Sequence, residues 1–337
     1  MKKVLVTGGA GYIGSHTVVE LMQAGYEPVV IDNLSCSDGS LNDGIEKITG
    51  KKVNFHKGDC CDKDFVHSIF KTQGPIDAVI HFAALKSVGE SVAKPLQYHQ
   101  NNIDSLLVLL EVMKEFGTKD LIFSSSCTVY GQPDQIPVNE LAPQKKAESP
   151  YGATKQICER ILEDVSPTGY NVISLRYFNP IGAHPSSHIG ELPIGIPNNL
   201  IPFVTQTAAG WREKLTVFGN DYNTPDGSCI RDYIHVVDVA VAHVKALDYL
   251  KAQSFKTLYE VFNLGTGLGV SVLEILKKFV NTTGVQVPFI IGPRRPGDVE
   301  KVYADPQKVN KVLNWKTKFS IEDALHHAWE WQKKLKK

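Results

Sequence analysis

The chain lacks any excess of charge of one sign: 36 lysines and arginines stand against 36 aspartates and glutamates in 337 residues. With no global field, nothing points to nucleic acid or an anionic membrane surface as a partner. No apolar run approaches the ~20 residues that span a bilayer, so no membrane partner is expected. Met1-Lys2-Lys3 is followed by only a few apolar residues before glycines begin. No signal peptide is therefore expected, and the cytoplasm is the expected location. The six cysteines (Cys36, Cys60, Cys61, Cys127, Cys158, Cys229) include no Cys-x-x-Cys. That fits reduced thiols, and no metal site is expected. Internal repeats and low-complexity stretches are also missing, which leaves one large domain or two moderate ones with ample core.

What the chain does have begins at its N-terminus. Lys2 to Thr7 reads as a short apolar strand, followed at once by Gly8-Gly9-Ala10-Gly11-Tyr12-Ile13-Gly14 and a helix expected over Ser15–Ala24, with Gly25 placed to end it. Strand, glycine turn and helix N-terminus make a cradle for a pyrophosphate. Free amides and the helix dipole attract the anion, and glycines let the backbone approach it. The spacing is Gly-x-x-Gly-x-x-Gly, not Gly-x-Gly-x-x-Gly, and a glycine loop can also serve a tight turn alone. A second strand, Pro28–Ile31, leads into Asp32, 18 residues past Gly14. A carboxylate there accepts from a ribose 2′-hydroxyl and repels a 2′-phosphate, which favours NAD over NADP.

Further strands are expected at Val53–Lys57, Asp77–Phe82, Asp120–Ser124 and Asn171–Tyr177, with helices at Asp64–Thr72, Leu96–Phe116 and Pro150–Val165 between them. Such alternation predicts an α/β fold, a doubly wound Rossmann-type parallel sheet covered on both faces. Ligands of such sheets lie beyond the carboxyl ends of the strands, which singles out Asp59, Phe82 to Ala84, Ser124 to Ser126, Phe178 and Asn179. After Asn179 a proline- and glycine-rich stretch reaches Asn199. Helices at Val236–Leu250, Ser271–Asn281 and Ile321–Lys334, a strand at Val261–Leu264 and a turn at Gly292–Asp298 follow. The expected organisation is a dinucleotide-binding domain of residues 1–178, rejoined by 233–264. Residues 179–232 and 265–337 would form a smaller C-terminal substrate lobe.

Ser149-Pro150-Tyr151-Gly152-Ala153-Thr154-Lys155 supplies a candidate catalytic pair. Ser149 suits an N-cap and Pro150 the first helical position, which puts Tyr151 and Lys155 one turn apart on one face. A phenol titrates near ~10, so bringing it to about 7 requires about 4 kcal/mol. An ammonium and a helix N-terminus both push that way. By itself the pair also fits an ordinary exposed helix.

Taken together, the glycine loop, Ser126 and Tyr151…Lys155 resemble the extended short-chain dehydrogenase/reductase superfamily. Within it the chain resembles the UDP-galactose (UDP-glucose) 4-epimerases over almost its full length. The resemblance is carried in order by Val6–His16, Ile80–Ser91, Ser124–Gly131, Leu175–Pro180, Ile196–Leu200, Arg231–Val236 and Arg294–Asp298. It implies that Tyr151 takes the proton of the sugar 4-hydroxyl with Ser126 assisting, and that the hydride passes to bound NAD and returns to the opposite face of a 4-keto sugar. Lys155 would hold the nicotinamide ribose and bias Tyr151 toward phenolate. NAD contacts carried over from the family fall on Gly8, Gly11, Tyr12, Ile13, Gly14, Asp32, Asn33, Asp59, Cys60, Phe82, Ala83, Ala84, Lys86, Asn101 and Phe178. The UDP-sugar contacts fall on Asn179, Asn199, Leu200, Thr216, Val217, Phe218, Arg231, Arg295, Asp298 and Val302. Either arginine taken alone reads equally well as a surface residue paired with a nearby aspartate. A homodimer is the family's usual assembly.

Two departures matter. Cys60 stands where many members have an aliphatic residue. Val302 stands where a tyrosine goes with narrow specificity, so the small side chain implies room for N-acetylated sugars. A 4,6-dehydratase would need an acidic pair where this chain has Cys127 and Thr128. An oxidoreductase acting on another carbonyl, or a non-catalytic NAD-binding regulator, are the competing uses of the same fold.

Overall fold

The computed structural model describes residues 2–253, 256–295 and 298–335. Pro296 and Gly297, part of the Gly292–Asp298 turn and of the last motif above, lie outside the described residues, as do Met1, Ser254, Phe255, Lys336 and Lys337. The chain runs β1 (Lys3–Thr7), α1 (Tyr12–Gln23), β2 (Glu27–Asp32), α2 (Leu41–Thr49), β3 (Asn54–Lys57), α3 (Lys63–Gln73), β4 (Ala78–His81), α4 (Val88–Ala93), α5 (Pro95–Phe116), β5 (Asp120–Ser126), α6 (Pro150–Val165) and β6 (Asn171–Tyr177). It continues β7 (Asn179–Ile181), α7 (Leu200–Ala208), β8 (Leu215–Phe218), β9 (Ile230–Arg231), β10 (Tyr233–His235), α8 (Val236–Ala252), β11 (Leu258–Leu264), β12 (Val270–Ser271), α9 (Val272–Thr283), β13 (Phe289–Gly292), β14 (Lys301–Val302), α10 (Gln307–Val312) and α11 (Ile321–Lys334).

Among the described residues, seven strands form one parallel sheet in the order β11-β6-β5-β4-β1-β2-β3. The direction of winding reverses between β1 and β4, which opens a crevice beyond the strand ends there. Alternate residues of each strand feed opposite faces, as a pleated strand requires. Val4 and Val6 of β1, Ile80 of β4 and Leu175 of β6 pack with α1, α2 and α8 through Val18, Ile45 and Leu247. Leu5, Val79, Phe123 and Val172 pack on the other face with α3, α5 and α6 through Phe70, Leu109 and Leu162. Both faces are therefore dry, and the strands read as apolar runs for that reason.

A second core gathers α7, α9 and α11 around β8 and β10, with Val204, Phe279 and Leu325 at its centre. No helix among the described residues is long and apolar enough to cross a membrane.

The doubly wound sheet is the one expected. Three local expectations change. Helix α1 begins at Tyr12, not Ser15, so Gly14 lies in its first turn. A Cβ at Gly14 would meet the Gly8 carbonyl oxygen at 2.3 Å, so the helix can start this close to β1 only with glycine there. Helices α2, α4, α7 and α10 lie in stretches to which the sequence pattern assigns no element; each has nine residues or fewer, too short for a clear sequence period. Finally, Asn179–Ile181 is a short strand paired with β10, at the head of the stretch expected to be a loop.

Four histidines are sealed in this framework: His16, His81, His235 and His243. Burial leaves the first three at about 3 and His243 at about 4. Each is neutral when folded and takes up a proton below about 6.5 once unfolded, so the unfolded state binds more protons. Their contribution is fully present above about 6.5 and is lost as pH falls toward the folded values. Urea midpoints should therefore fall steadily between pH 7 and 5, each histidine approaching a slope of about 1.4 kcal/mol per pH unit. A flat profile would show that these rings are not held neutral.

Candidate active site

The site grows from the carboxyl ends of the parallel strands. At the end of β1, Gly8 has φ +69°, and a Cβ there would meet the Ala83 amide nitrogen at 2.8 Å. Gly11 is the N-cap of α1 and offers no side chain to the first-turn amides, so these remain directed at the crevice. Asp32, at the end of β2, closes over this loop, accepting from the amides of Ala10 (3.1 Å) and Leu34 (2.9 Å). Burial raises its carboxyl above the ordinary value against those two bonds. Asn33 donates to Asp59 (3.0 Å), which also accepts from the Cys61 amide (2.8 Å). The intervening Cys60 is buried, and its thiol is pushed far up by burial. At the end of β4, Ala83 donates to the Thr7 hydroxyl, Phe82 packs on His243, and Leu85 donates to Asn102 beside Asn101. His81 bonds to Thr7 (2.7 Å), a satisfied core histidine.

The expected helix over Pro150–Val165 is present in full. Ser149 caps it by accepting from the Gly152 amide (3.2 Å), and Pro150 occupies the first position. Lys155 is buried, with Nζ donating to the Ser124 carbonyl (2.6 Å), 4.7 Å from the Phe123 ring centroid and 5.9 Å from that of Tyr151. Tyr151, Lys155 and Ser126 are thus brought together. The electrostatics differ from the expectation of a phenol biased toward ionisation. Burial pushes Tyr151 up to about 12, against the pull of its hydrogen bond with Ser126, and burial lowers Lys155 to about 8. Desolvation disfavours the charged form of both groups and is the largest influence on each.

Across the crevice, β9, β12 and β14 form a small sheet that aligns Val302 with Arg231. Asp298 is shared by both arginines, at 3.6 Å from Arg231 and 2.7 Å from Arg295. The ion-paired reading of these arginines is therefore what the geometry contains, and it gathers two guanidinium groups on one carboxylate. Val302 is buried against Val129, Tyr130, Val138, Phe178 and Ala304. The Asn179 amide nitrogen donates to the Asp232 carbonyl (2.9 Å), while its side-chain Oδ1 is buried without a partner. Asn199 sits at the N-cap position of α7 beside Leu200, but its side chain instead donates to Glu191 (2.5 Å), whose carboxylate also lies 3.5 Å from Lys86. Thr216, Val217 and Phe218 lie on β8, where Val217 is buried and Phe218 exposed. Tyr12 and Ile13 open α1, and the Tyr12 hydroxyl donates to the Gly182 carbonyl (2.7 Å).

The geometry passes two tests for anionic, nucleotide-like ligands. The glycine loop leaves no room for side chains and presents uncapped amides. Asn179 Oδ1 is buried without a partner, and Arg231 and Arg295 share Asp298; the first suits a base or ribose, the guanidinium pair a diphosphate.

Reading the chain alone missed three residues that hold this site. Asp232 and Glu191 are two. The third is Glu159, which accepts from Ser125, Gln144 and Arg176 behind Tyr151 and Lys155. The signal for the last was present: an arginine next to Leu175 in the strand at Asn171–Tyr177, and a glutamate one turn beyond Lys155.

Comparisons with known proteins place this geometry among relatives. A family model described as GDP-mannose 4,6 dehydratase matches residues 5–328. UDP-glucose 4-epimerase of Bacillus subtilis (strain 168) is 50% identical over 331 residues, covering 98% of this chain and 96% of that protein. The crystal structure of UDP-glucose 4-epimerase from Bifidobacterium longum in complex with NAD+ and UDP is similar with a TM-score of 0.95 and 46% identity, over 99% of this chain and 98% of that one. The UDP-Glc/GlcNAc 4-epimerase of Campylobacter jejuni is similar with a TM-score of 0.84 and 36% identity, over 99% of this chain and 100% of that one.

Asp232 ties the segment after β14 to the segment after β11, at the edge of the main sheet. Its buried carboxylate accepts from the amides of Thr266 (2.8 Å), Gly267 (3.0 Å) and Ala304 (3.0 Å), and from the Thr266 hydroxyl (2.6 Å). Asp232→Ala would orphan these buried donors and should cost about 3–5 kcal/mol, read as a lower denaturant midpoint at unchanged m-value. A loss below about 0.5 kcal/mol would show that these segments do not depend on this anchor.

Proposed function

The chain belongs to the UDP-glucose 4-epimerase family, and from that premise we propose that it interconverts UDP-galactose and UDP-glucose through a transient 4-keto sugar, and UDP-GalNAc and UDP-GlcNAc likewise. It is an NAD-dependent epimerase. The observation that carries the finer reading is the convergence of Tyr151, Lys155 and Ser126 between a glycine cradle and an arginine pair. NAD, when bound, supplies the hydride acceptor and donor for the sugar C4, and because it is regenerated each cycle it stays as a cofactor.

This chain's residues do the rest. Gly8, Gly11, Gly14, Tyr12 and Ile13 receive the pyrophosphate side of the dinucleotide, and Asp32 and Asn33 its adenosine ribose. Asp59, Cys60, Phe82, Ala83, Ala84, Lys86, Asn101 and Phe178 line the remainder. Arg231 and Arg295 grip the UDP diphosphate in fork geometry, with Asp298, Asn179, Asn199, Leu200 and Thr216 to Phe218 around the nucleotide. Anchoring UDP leaves the sugar free to turn over between the two hydride transfers.

Tyr151 exchanges the proton of the 4-hydroxyl, and Ser126 orients it. Because burial opposes ionisation of Tyr151, the Lys155 ammonium and the Ser126 hydroxyl are the groups of this chain that stabilise its phenolate. The same division assigns residues 1–178 and 233–264 to the NAD-binding part and 179–232 and 265–337 to the UDP-sugar part. The protein would work as a homodimer in the cytoplasm. The pairing of β11 with β6 supports that division, since it returns the chain to the main sheet. A dehydratase outcome, which the description of the family model raises, needs an acid and a base for elimination. Cys127, its thiol pushed up to about 12 by burial, and Thr128 supply neither.

Purified protein incubated with UDP-galactose and no added NADH should form UDP-glucose to an equilibrium mixture without net NADH. Tyr151→Phe should lower kcat by about 10²–10⁴-fold while UDP binding persists. No conversion by NAD-loaded protein would reject the reading.

Val302 tests the breadth of substrates. A valine lacks the ring that would fill space beside the sugar, and it is buried in a small apolar cluster with Val129, Tyr130 and Phe178. Val302→Tyr should abolish turnover of UDP-GlcNAc and spare UDP-galactose. Wild-type protein inert toward UDP-GlcNAc, while turning over UDP-galactose readily, would restrict the function to plain sugars.

A further inference from the structure

Tyr151, Lys155 and Glu159 follow one another at four-residue intervals along α6, on the face turned to the sheet. Glu159 is buried and has its carboxylate fully engaged. One oxygen accepts from the Ser125 hydroxyl (2.6 Å) and Arg176 Nε (2.9 Å), the other from Gln144 (2.6 Å) and Arg176 Nη2 (2.6 Å). The third guanidinium nitrogen of Arg176 donates to the Tyr130 hydroxyl (2.8 Å), which donates to Asn263 (2.7 Å). Asn263 in turn donates to the Val138 carbonyl (2.9 Å). Ser125, Arg176 and Asn263 stand side by side on β5, β6 and β11, each in register with the next. This makes a polar row across three strands, met by one carboxylate from the helix.

The row is placed where it sets the active site. Ser125 lies between Ser124, whose carbonyl receives Lys155, and Ser126, which bonds Tyr151. A slip of α6 along β5 would break the Glu159–Ser125 bond together with both of these contacts. We propose that Glu159 is a positioning residue for the reaction: stapled to Ser125 and Arg176, it fixes α6 against the sheet and holds the Lys155 ammonium on the Ser124 carbonyl. This inference rests on the 4-epimerase reading for the chemistry that Lys155 serves.

Electrostatics support the geometry. The titratable groups that face Lys155 or the adjoining phenol are Tyr151, Cys158 and Glu159 on α6, Cys127 just after β5, Tyr98 on α5, His81 on β4 and Tyr177 on β6. Burial pushes Cys158 up to about 11, Cys127, Tyr98 and Tyr151 up to about 12 and Tyr177 higher still, and holds His81 at about 3, so these are neutral at pH 7. Burial lowers Lys155 to about 8, and Cys158 and Glu159 beside it pull the other way; of these two, Glu159 is the carboxylate. Neutralising Glu159 should therefore let Lys155 lose its proton at lower pH, and the alkaline limb of activity should move with it.

The test compares wild type, Glu159→Gln, Ser125→Ala and the double variant Glu159→Gln/Arg176→Met. The double variant leaves no unpaired buried charge and so guards against simple unfolding. Two readouts are taken: kcat and KM for UDP-galactose across pH, and the titration of the Lys155 Cε signal in carbon-13 NMR, assigned with Lys155→Arg. Glu159→Gln should lower kcat about tenfold or more near pH 8 with KM changed less than about twofold. The alkaline limb and the Lys155 midpoint should both move about one unit toward lower pH. Ser125→Ala should move them the same way by less, and the folded double variant should keep the shift. An unchanged Lys155 midpoint and limb in a folded variant would overturn the proposal. If wild type leaves UDP-galactose unchanged, the 4-epimerase reading fails separately, and the Lys155 midpoint still decides the role of Glu159.

Discussion

A buried ion pair between Glu159 and Arg176 underlies the seating of α6, which carries Tyr151 and Lys155, against the sheet. Two charges removed from water are costly unless every lone pair and N–H finds a partner. Here the carboxylate accepts four hydrogen bonds, and the guanidinium reaches a tyrosine that passes the chain of bonds to a third strand. Such a network tolerates one register of helix against sheet and penalises its neighbours. Apolar packing around Phe123 and Leu162 would hold α6 near the sheet, but packing alone discriminates less sharply between positions a fraction of a turn apart.

Glycine makes the complementary constraint on the opposite side of the crevice. The contact of Gly14 with the Gly8 carbonyl brings the start of α1 onto β1, and Gly8 lets the loop pass beneath Ala83. The uncapped first turn of α1 then supplies a positive end, and paired arginines supply a second one across the gap. Carboxylates of Asp298 and Glu191 hold basic and amide side chains in place around that gap. The same dry environment that sharpens these interactions raises Tyr151 and lowers Lys155.

Much of this was legible in the residues. The strand, glycine loop and acidic residue at Lys3–Asp32, and the capped helix from Ser149 through Lys155, carry their meaning in short spacings that steric and hydrogen-bonding rules translate directly. The helix at Pro150–Val165 and the strand at Asn171–Tyr177 were placed to the residue. The onset of α1 was misplaced by three residues because glycines argue against a helix unless a close contact demands them. Helices α2, α4, α7 and α10 were unreadable because segments that short are stabilised by what they pack against.

The doubly wound sheet, the glycine turn and the one-turn spacing of Tyr151 and Lys155 each follow from neighbours within a turn or a strand, and so could be read along the chain. Three contacts could not: Asp298 gathering Arg231 with Arg295, Asp232 accepting from three amides far along the chain, and Glu159 meeting Arg176 behind Lys155. Nor could the direction in which burial moves Tyr151 and Lys155. One cause is common to all of these. Burial and charge pairing are sums over groups remote in the chain, and their sign is set by distances that exist only after the strands have closed into one sheet.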